Sequence, residues 1–393
     1  MKYNFDEIIR RTGTNAVKWE PEKLKSLTGS EPEEDIIPMW VADMDFRSPQ
    51  PVVDALLKRA EHGIFGYCMP HDSYYDALKW WLKERHDWEI RKEWVRLMPG
   101  IVPSLGFLIR ALSEEGDHVI IQQPVYHPFR RMAEKNNRVI MNNALRLEEG
   151  VYRIDLEDFE QKATNPKTKL FILSNPHNPV GRVWHEDELR ALGEICIRHG
   201  VIVISDEIHQ DFILNGSHTV YARLGEAFAN NSVICTAPSK TFNLSGLSTS
   251  NIIIPNLEIK QKLEDELQKS HIGMINLFGI VALTAAYSEG GAEWLEQLIE
   301  YLRGNLAYMD SFIRENMPKV KLIQPEATYV AWLDFREVTA NHEDLVCKMK
   351  ESNVLLNEGT MFGDEGAGFM RINFAAPRSV LKTALERIAQ VLS

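Results

Sequence analysis

The sequence predicts an α/β fold: a large domain with a mostly parallel central sheet covered by helices, plus a smaller α+β domain. Short apolar runs at 118–122, 138–142, 169–174, 201–205, 233–236 and 251–254 alternate with helical stretches such as 186–199 and 256–269. That alternation is the mark of strands joined by covering helices. Val201-Ile-Val-Ile places four β-branched residues in a row, as in a strand buried on both faces. A chain of 393 residues can hold a large core and a second, smaller unit.

The remaining elements follow in order. Ile272 to Ala286 is the longest apolar stretch, but it contains Asn276 and two glycines. It falls short of the roughly 20 residues a bilayer span needs, so it predicts a buried helix. From about 292 to 316 a long helical pattern leads into the second unit, which carries Trp332 and Arg371 and ends in a helix over 378–392. No repeat or low-complexity linker interrupts the chain, and no charge block exceeds Glu31-Pro-Glu-Glu-Asp35.

Composition narrows the partners. A formal charge of −12 argues against nucleic acid and anionic membrane surfaces. Cys68, Cys196, Cys235 and Cys347 show no paired spacing, which suits a reducing compartment. Met1-Lys-Tyr-Asn-Phe-Asp-Glu contains no apolar signal region. The expected location is cytoplasmic.

Three strand-to-loop motifs carry the chemistry. Lys169-Leu-Phe-Ile-Leu-Ser empties into Asn175-Pro-His-Asn178-Pro-Val-Gly181. Proline fixes φ and restricts the residue before it, so both asparagines are held in defined directions, and an oriented amide can donate to a phenolate oxygen. A rigid turn is the plainer reading of either Asn-Pro step. Asp206 stands just past the β-branched run, where open α/β sheets place ligand chemistry. A carboxylate there suits a protonated ring nitrogen, or merely caps a turn. Asp206, Glu207, His209 and Asp211 also raise a metal site, disfavoured because no second ligand cluster accompanies them; no metal is expected. In Ser232-Val-Ile-Cys-Thr-Ala-Pro-Ser-Lys240 a lysine follows a buried strand. Partial desolvation there favours the neutral amine that a Schiff base requires; a solvated loop lysine is the plainer reading of the segment taken alone.

The order Asn-Pro-x-Asn-Pro-x-Gly, Ser-Asp-Glu-Ile, Ser-Lys resembles the fold-type I pyridoxal 5′-phosphate (PLP) enzymes, the aspartate aminotransferase superfamily. Met39-Trp-Val-Ala42-Asp-Met-Asp-Phe46, Asp206-Glu-Ile-His209, Ser239-Lys-Thr-Phe-Asn243 and Pro325-Glu-Ala-Thr-Tyr-Val-Ala-Trp-Leu-Asp-Phe-Arg336 narrow it. With the Asn-Pro loop they resemble the PatB/MalY-type cystathionine β-lyases, a branch of carbon–sulfur lyases. The resemblance implies that Lys240 is the Schiff-base lysine and the base at the substrate Cα. Asp206 would pair with the pyridine nitrogen, Asn178 donate to the ring's O3′, and Tyr126 stack on the ring. Arg371, in Gly368-Phe-Met-Arg-Ile-Asn-Phe, would hold the α-carboxylate with a planar fork suited to it, alongside Asn178 and the backbone at Ala42.

Phosphate would lie at Met98-Pro-Gly100-Ile-Val-Pro103, on the N–H groups of Ile101 and Val102 at a helix start, with Ser239 beside it. Tyr67 would reach across from a partner subunit, so a homodimer with shared active sites is implied. His209 stands near the cofactor where many relatives have a tyrosine, and Ser248 where many aminotransferases have a phosphate-binding arginine. The implied large domain is 50–290, with 1–49 and 291–393 forming a discontinuous small domain. The implied reaction is α,β-elimination from L-cystathionine or a related small amino-acid substrate. An aminotransferase using the same residues is the alternative, and a mainly regulatory, protein-binding role is a further one.

Overall fold

The computed structural model describes residues 2–29, 35–272 and 275–392. Most of the acidic run at 31–35, and residues 273 and 274 of the apolar stretch, lie outside these. Seven strands form the central sheet: β1 (Val95–Met98), β2 (His118–Ile121), β3 (Val139–Asn142), β4 (Thr168–Ser174), β5 (Ile202–Asp206), β6 (Ser232–Thr236) and β7 (Ser250–Ile253). Their spatial order is β1-β7-β6-β5-β4-β2-β3. Only β7 runs against its neighbours; the other pairings are parallel.

The apolar runs are continuous because both sheet faces are buried. Along β4, Phe171 and Leu173 enter one core while Leu170 and Ile172 enter a second; along β5, Val203 and Ile204 divide the same way. Successive strand side chains point to opposite faces, so helices on both sides require apolar residues at every position. The expected helices at 186–199, 256–269 and 378–392 are Glu186–His199, Leu257–Lys269 and Arg378–Leu392. The described part of the apolar stretch forms the helix Leu277–Ala286, and the long helix runs Glu289–Asn316. Strand β1 is additional to the expected runs: with Arg96 between Val95 and Leu97, its four residues give too short an apolar signal.

A second, antiparallel sheet contains β8 (Lys321–Ile323), β9 (Val330–Asp334), β10 (Asn357–Glu358) and β11 (Phe369–Asn373), in the order β8-β9-β11-β10. Ile37 and Pro38 pair in parallel with Val354 and Leu355, binding the N-terminal chain to this second unit. Asn305 on the long helix donates to the carbonyls of Phe374 and Ala376, both at 2.9 Å, which fixes the segment following β11. The loops after β1, β2, β4, β5 and β6 leave the carboxyl ends of the parallel strands and face this unit across a cavity. That is where open α/β sheets hold ligands.

Candidate active site

The cavity encloses about 660 Å³ and is lined by Ala42, Ile101, Val102, Tyr126, Asn178, Asp206, His209, Ser239, Lys240 and Arg371. These residues come from positions 42 to 371 of the chain. Tyr67 is not among them. It is 94% exposed, on a surface segment with Ile64, Phe65 and Met69.

Asp206 ends β5 and is buried, with Ile208 N–H donating to its Oδ1 at 3.2 Å. Burial raises its pKa to about 7, against the pull of that N–H and of Lys240. A buried carboxylate with so little compensation is poised to take a cationic N–H partner. Lys240 lies in the short helix Pro238–Thr241 that follows β6, and its Nζ donates to Ala42 O at 2.5 Å. Burial and the charge of Arg371 lower it to about 8, although Asp43 and Asp206 oppose them. Near neutral pH a useful fraction of this amine is therefore unprotonated and nucleophilic.

The Asn-Pro loop leaves β4 with cis bonds at Asn175–Pro176 and Asn178–Pro179. Gly181 closes it at φ +74°, and a Cβ there would lie 2.6 Å from Cβ of Pro325. Only glycine accepts both that backbone and that contact. Ser174 Oγ accepts from Asn178 N at 3.2 Å, and Asn178 O accepts from Tyr126 N at 3.0 Å. Asn178 Oδ1 accepts from Arg371 Nη1 at 3.0 Å, which assigns the amide's other end as a donor.

Arg371 sits on β11, paired with Trp332 and Asn357. Its Nη2 donates to Trp40 O at 2.9 Å and to Asn357 Oδ1 at 2.6 Å, and the guanidinium lies 4.8 Å from the Phe362 ring centroid. Burial pushes its pKa down to about 10, against Tyr126 and Tyr329. No carboxylate neutralises this buried cation among the described residues, and its Nε lacks a partner. Such a site favours an anionic ligand.

Sequence reasoning missed how the Trp40–Phe46 segment is held. Asn373 Nδ2 donates to the carbonyls of Val41 and Asp43, each at 2.6 Å. Asn243 binds the N–H and the carbonyl of Met44 at 3.0 and 2.8 Å and the carbonyl of Phe46 at 3.1 Å. Tyr329 Oη donates to Ala42 O at 2.9 Å, sharing that acceptor with Lys240. From outside, Arg11 pairs with Asp43 at 2.6 Å and Asp45 at 2.7 Å, and the buried Lys18 with Asp45 at 2.7 Å. Asn243, Tyr329 and Asn373 stand inside the segments 239–243, 325–336 and 368–374 that the sequence singles out, but nothing there assigns them this task.

Of the acidic and histidine side chains at 206–211, Glu207 and Asp211 take separate protein partners. Glu207 accepts from Ser205, His218 and the Tyr221 N–H. Asp211 accepts from Trp81, from Thr241 at 2.7 Å and from His86 at 2.9 Å. His209 packs edge-on to Tyr329 at 5.9 Å and is held neutral by burial and by the charges of Lys240 and Arg371; its buried Nδ1 has no partner.

At the opposite end the helix Ile101–Leu112 starts from Gly100. Its first N–H groups lack intrahelical acceptors and carry the positive end of the helix dipole. Ser239, Ser245, Ser248 and Thr249 line the same cavity. A helix start for a phosphate, an uncompensated carboxylate for a ring nitrogen and a pKa-lowered lysine for an aldehyde fit PLP in residue chemistry.

The chain matches the aminotransferase class I and II family over residues 34–388. It is 45% identical over 392 residues to cystathionine β-lyase PatB of Bacillus subtilis, covering 99% of this chain and 100% of that protein. A PLP-bound putative aminotransferase from Clostridium difficile superposes with a TM-score of 0.96 at 42% identity, over 100% of both chains. Cystalysin from Treponema denticola, whose crystal structure contains PLP, gives 0.95 at 35% identity over 100% of this chain and 99% of its own. The chain therefore belongs to the class I and II aminotransferase family, in the branch of the PatB- and MalY-type cystathionine β-lyases.

Proposed function

We propose that this protein is a PLP-dependent carbon–sulfur β-lyase acting on L-cystathionine or a related cysteine S-conjugate. The observation that carries the proposal is the convergence of Lys240, Asp206, Asn178 and Arg371 on one cavity in a chain so similar to a cystathionine β-lyase. When bound, PLP supplies an aldehyde that captures the substrate amine and a ring that accepts the electron pair of the broken Cα–H bond.

Arg371 binds the α-carboxylate and, through its bond to Asn178, fixes the substrate end of the cavity relative to the Asn-Pro loop. Lys240 takes the proton from Cα, and its depressed pKa keeps the amine available as a base. Asp206 holds a proton at the pyridine nitrogen. Tyr126 covers the ring face and excludes water; Asn178 donates to O3′, with His209 as a neutral neighbour. Ile101 and Val102 N–H groups and Ser239 bind the phosphate. The Cα–H and Cβ–S bonds break, the thiol takes up the proton, and water supplies the ketone oxygen of pyruvate as ammonia departs.

The proposal includes a homodimer, a large domain of 50–290 and a small domain of 1–49 with 291–393. Exposed Ile64, Phe65, Tyr67 and Met69 support a second copy covering that segment, with Tyr67 entering the neighbouring site. Four free thiols support a cytoplasmic location, and no described helix is long and apolar enough to cross a membrane. The test is pyruvate release from L-cystathionine by PLP-loaded protein without added keto acid. Sustained release of pyruvate and thiol is expected. Conversion of the bound cofactor to its amine form, without pyruvate, would instead establish a transaminase.

A further inference from the structure

The charges lining the cavity do not balance. Lys23, Arg131, Lys240 and Arg371 face it together with one carboxylate, Asp206. The proposed reaction uses Lys240, Asp206 and Arg371, leaving two cations without a task. Lys23 is engaged over the Trp40 ring, 5.8 Å from its centroid, and also borders an outer groove. Arg131 has no ion pair among the described residues, although it belongs to a chain rich in them.

Arg131 lies four residues after His127, at the start of the helix Pro128–Lys135, and its N–H donates to His127 O at 3.2 Å. Side chains at this spacing share a helix face, and both line the cavity. The His127 ring stands 5.4 Å from Tyr126 and 6.3 Å from Phe362, the ring under Arg371. Arg131 is itself exposed, at the rim of the cavity, and its charge reaches both Tyr126 and His127. Burial, Arg131 and Arg371 lower His127 to about 4, so it is a neutral imidazole at pH 7. Its Nδ1 is buried without a partner.

We propose that Arg131, with His127 beside it, forms a subsite for a carboxylate at the far end of the thioether chain. This rests on the β-lyase reading and sharpens its substrate class to cysteine S-conjugates with an anionic tail. The guanidinium fork suits a carboxylate, and a neutral imidazole adds a hydrogen bond without competing charge.

The test uses a pair differing only at the tail, S-(2-carboxyethyl)-L-cysteine and S-propyl-L-cysteine, with pyruvate release by the holoenzyme as the readout. Wild type should favour the carboxylate in kcat/KM by about tenfold or more, the scale of one charge-assisted hydrogen bond. Arg131→Gln should erase that preference, mainly through KM, while S-propyl-L-cysteine changes less than about twofold. Equal turnover of both compounds by wild type would overturn the subsite while leaving the lyase intact. So would equal losses for both in Arg131→Gln, or a selective loss in Lys23→Gln instead. No pyruvate from either compound would sink both readings.

Discussion

The two walls of the cavity are built differently. On the sheet side, Asn178, Asp206 and Lys240 follow the carboxyl ends of β4, β5 and β6, so each side chain is placed by a buried strand. On the facing side, the Trp40–Phe46 segment has no regular structure of that kind. Its carbonyls are held by side chains of Arg371, Asn373, Lys240, Tyr329 and Asn243. The sheet wall presents reactive side chains; the opposite wall presents a fixed backbone against which the lysine and the substrate carboxylate are set.

That contrast is best broken first at Lys240. Lys240→Ala should reduce pyruvate release by at least ~10³-fold while leaving the urea midpoint near that of wild type; near-full turnover would remove it from the mechanism. Next is Asn373→Ala, which removes the donor to two part-buried carbonyls and should cost about 1–2 kcal/mol by urea unfolding, with a raised KM. A loss below about 0.5 kcal/mol would mean that the backbone wall holds itself.

Asp206→Asn should act oppositely on the two forms of the protein. The apo-protein pKa is raised from 3.8 to about 7, so its stabilising contribution is present below pH 4 and lost as pH rises through 7. Apo Asp206→Asn should therefore gain on the order of 2 kcal/mol over wild type at pH 8 and little at pH 4, although its turnover collapses. Thermal unfolding of both apo-proteins at the two pH values decides this, and parallel curves would refute the buried charge. The smallest effect is expected for Tyr329→Phe. Lys240 would then be the only side-chain donor on Ala42 O, favouring its charged form. The pH midpoint for reaction of the apo-protein lysine with pyridoxal should rise by about half a unit.

Legibility in the sequence follows the same division. A strand buried on both faces writes itself as an apolar run, so the residues just past those runs stand out in the sequence alone. The structure gathers them into one cavity. Asn243 and Asn373 give no comparable apolar signal, because an asparagine that caps a carbonyl some 200 or 330 positions away resembles any other asparagine. Arg131 is equally silent: it sits among other charges in a short helix, and only the cavity distinguishes it from a solvated arginine. The reversed direction of β7 is hidden for a related reason, since an apolar run carries no record of its polarity.

The carbonyl of Ala42 has a consequence for synthesis on the ribosome. That carbonyl is held by residues 240 and 329, and the rest of the Trp40–Phe46 segment by residues 11, 18, 243, 371 and 373. Chains grow from the N-terminus and fold as domains emerge, so the sheet wall can form while the opposite wall still lacks its last holders. A nascent chain released before Asn373 would carry its lysine and aspartate yet have no completed seat for a substrate. Catalytic competence in this protein is consequently one of the last properties its synthesis confers.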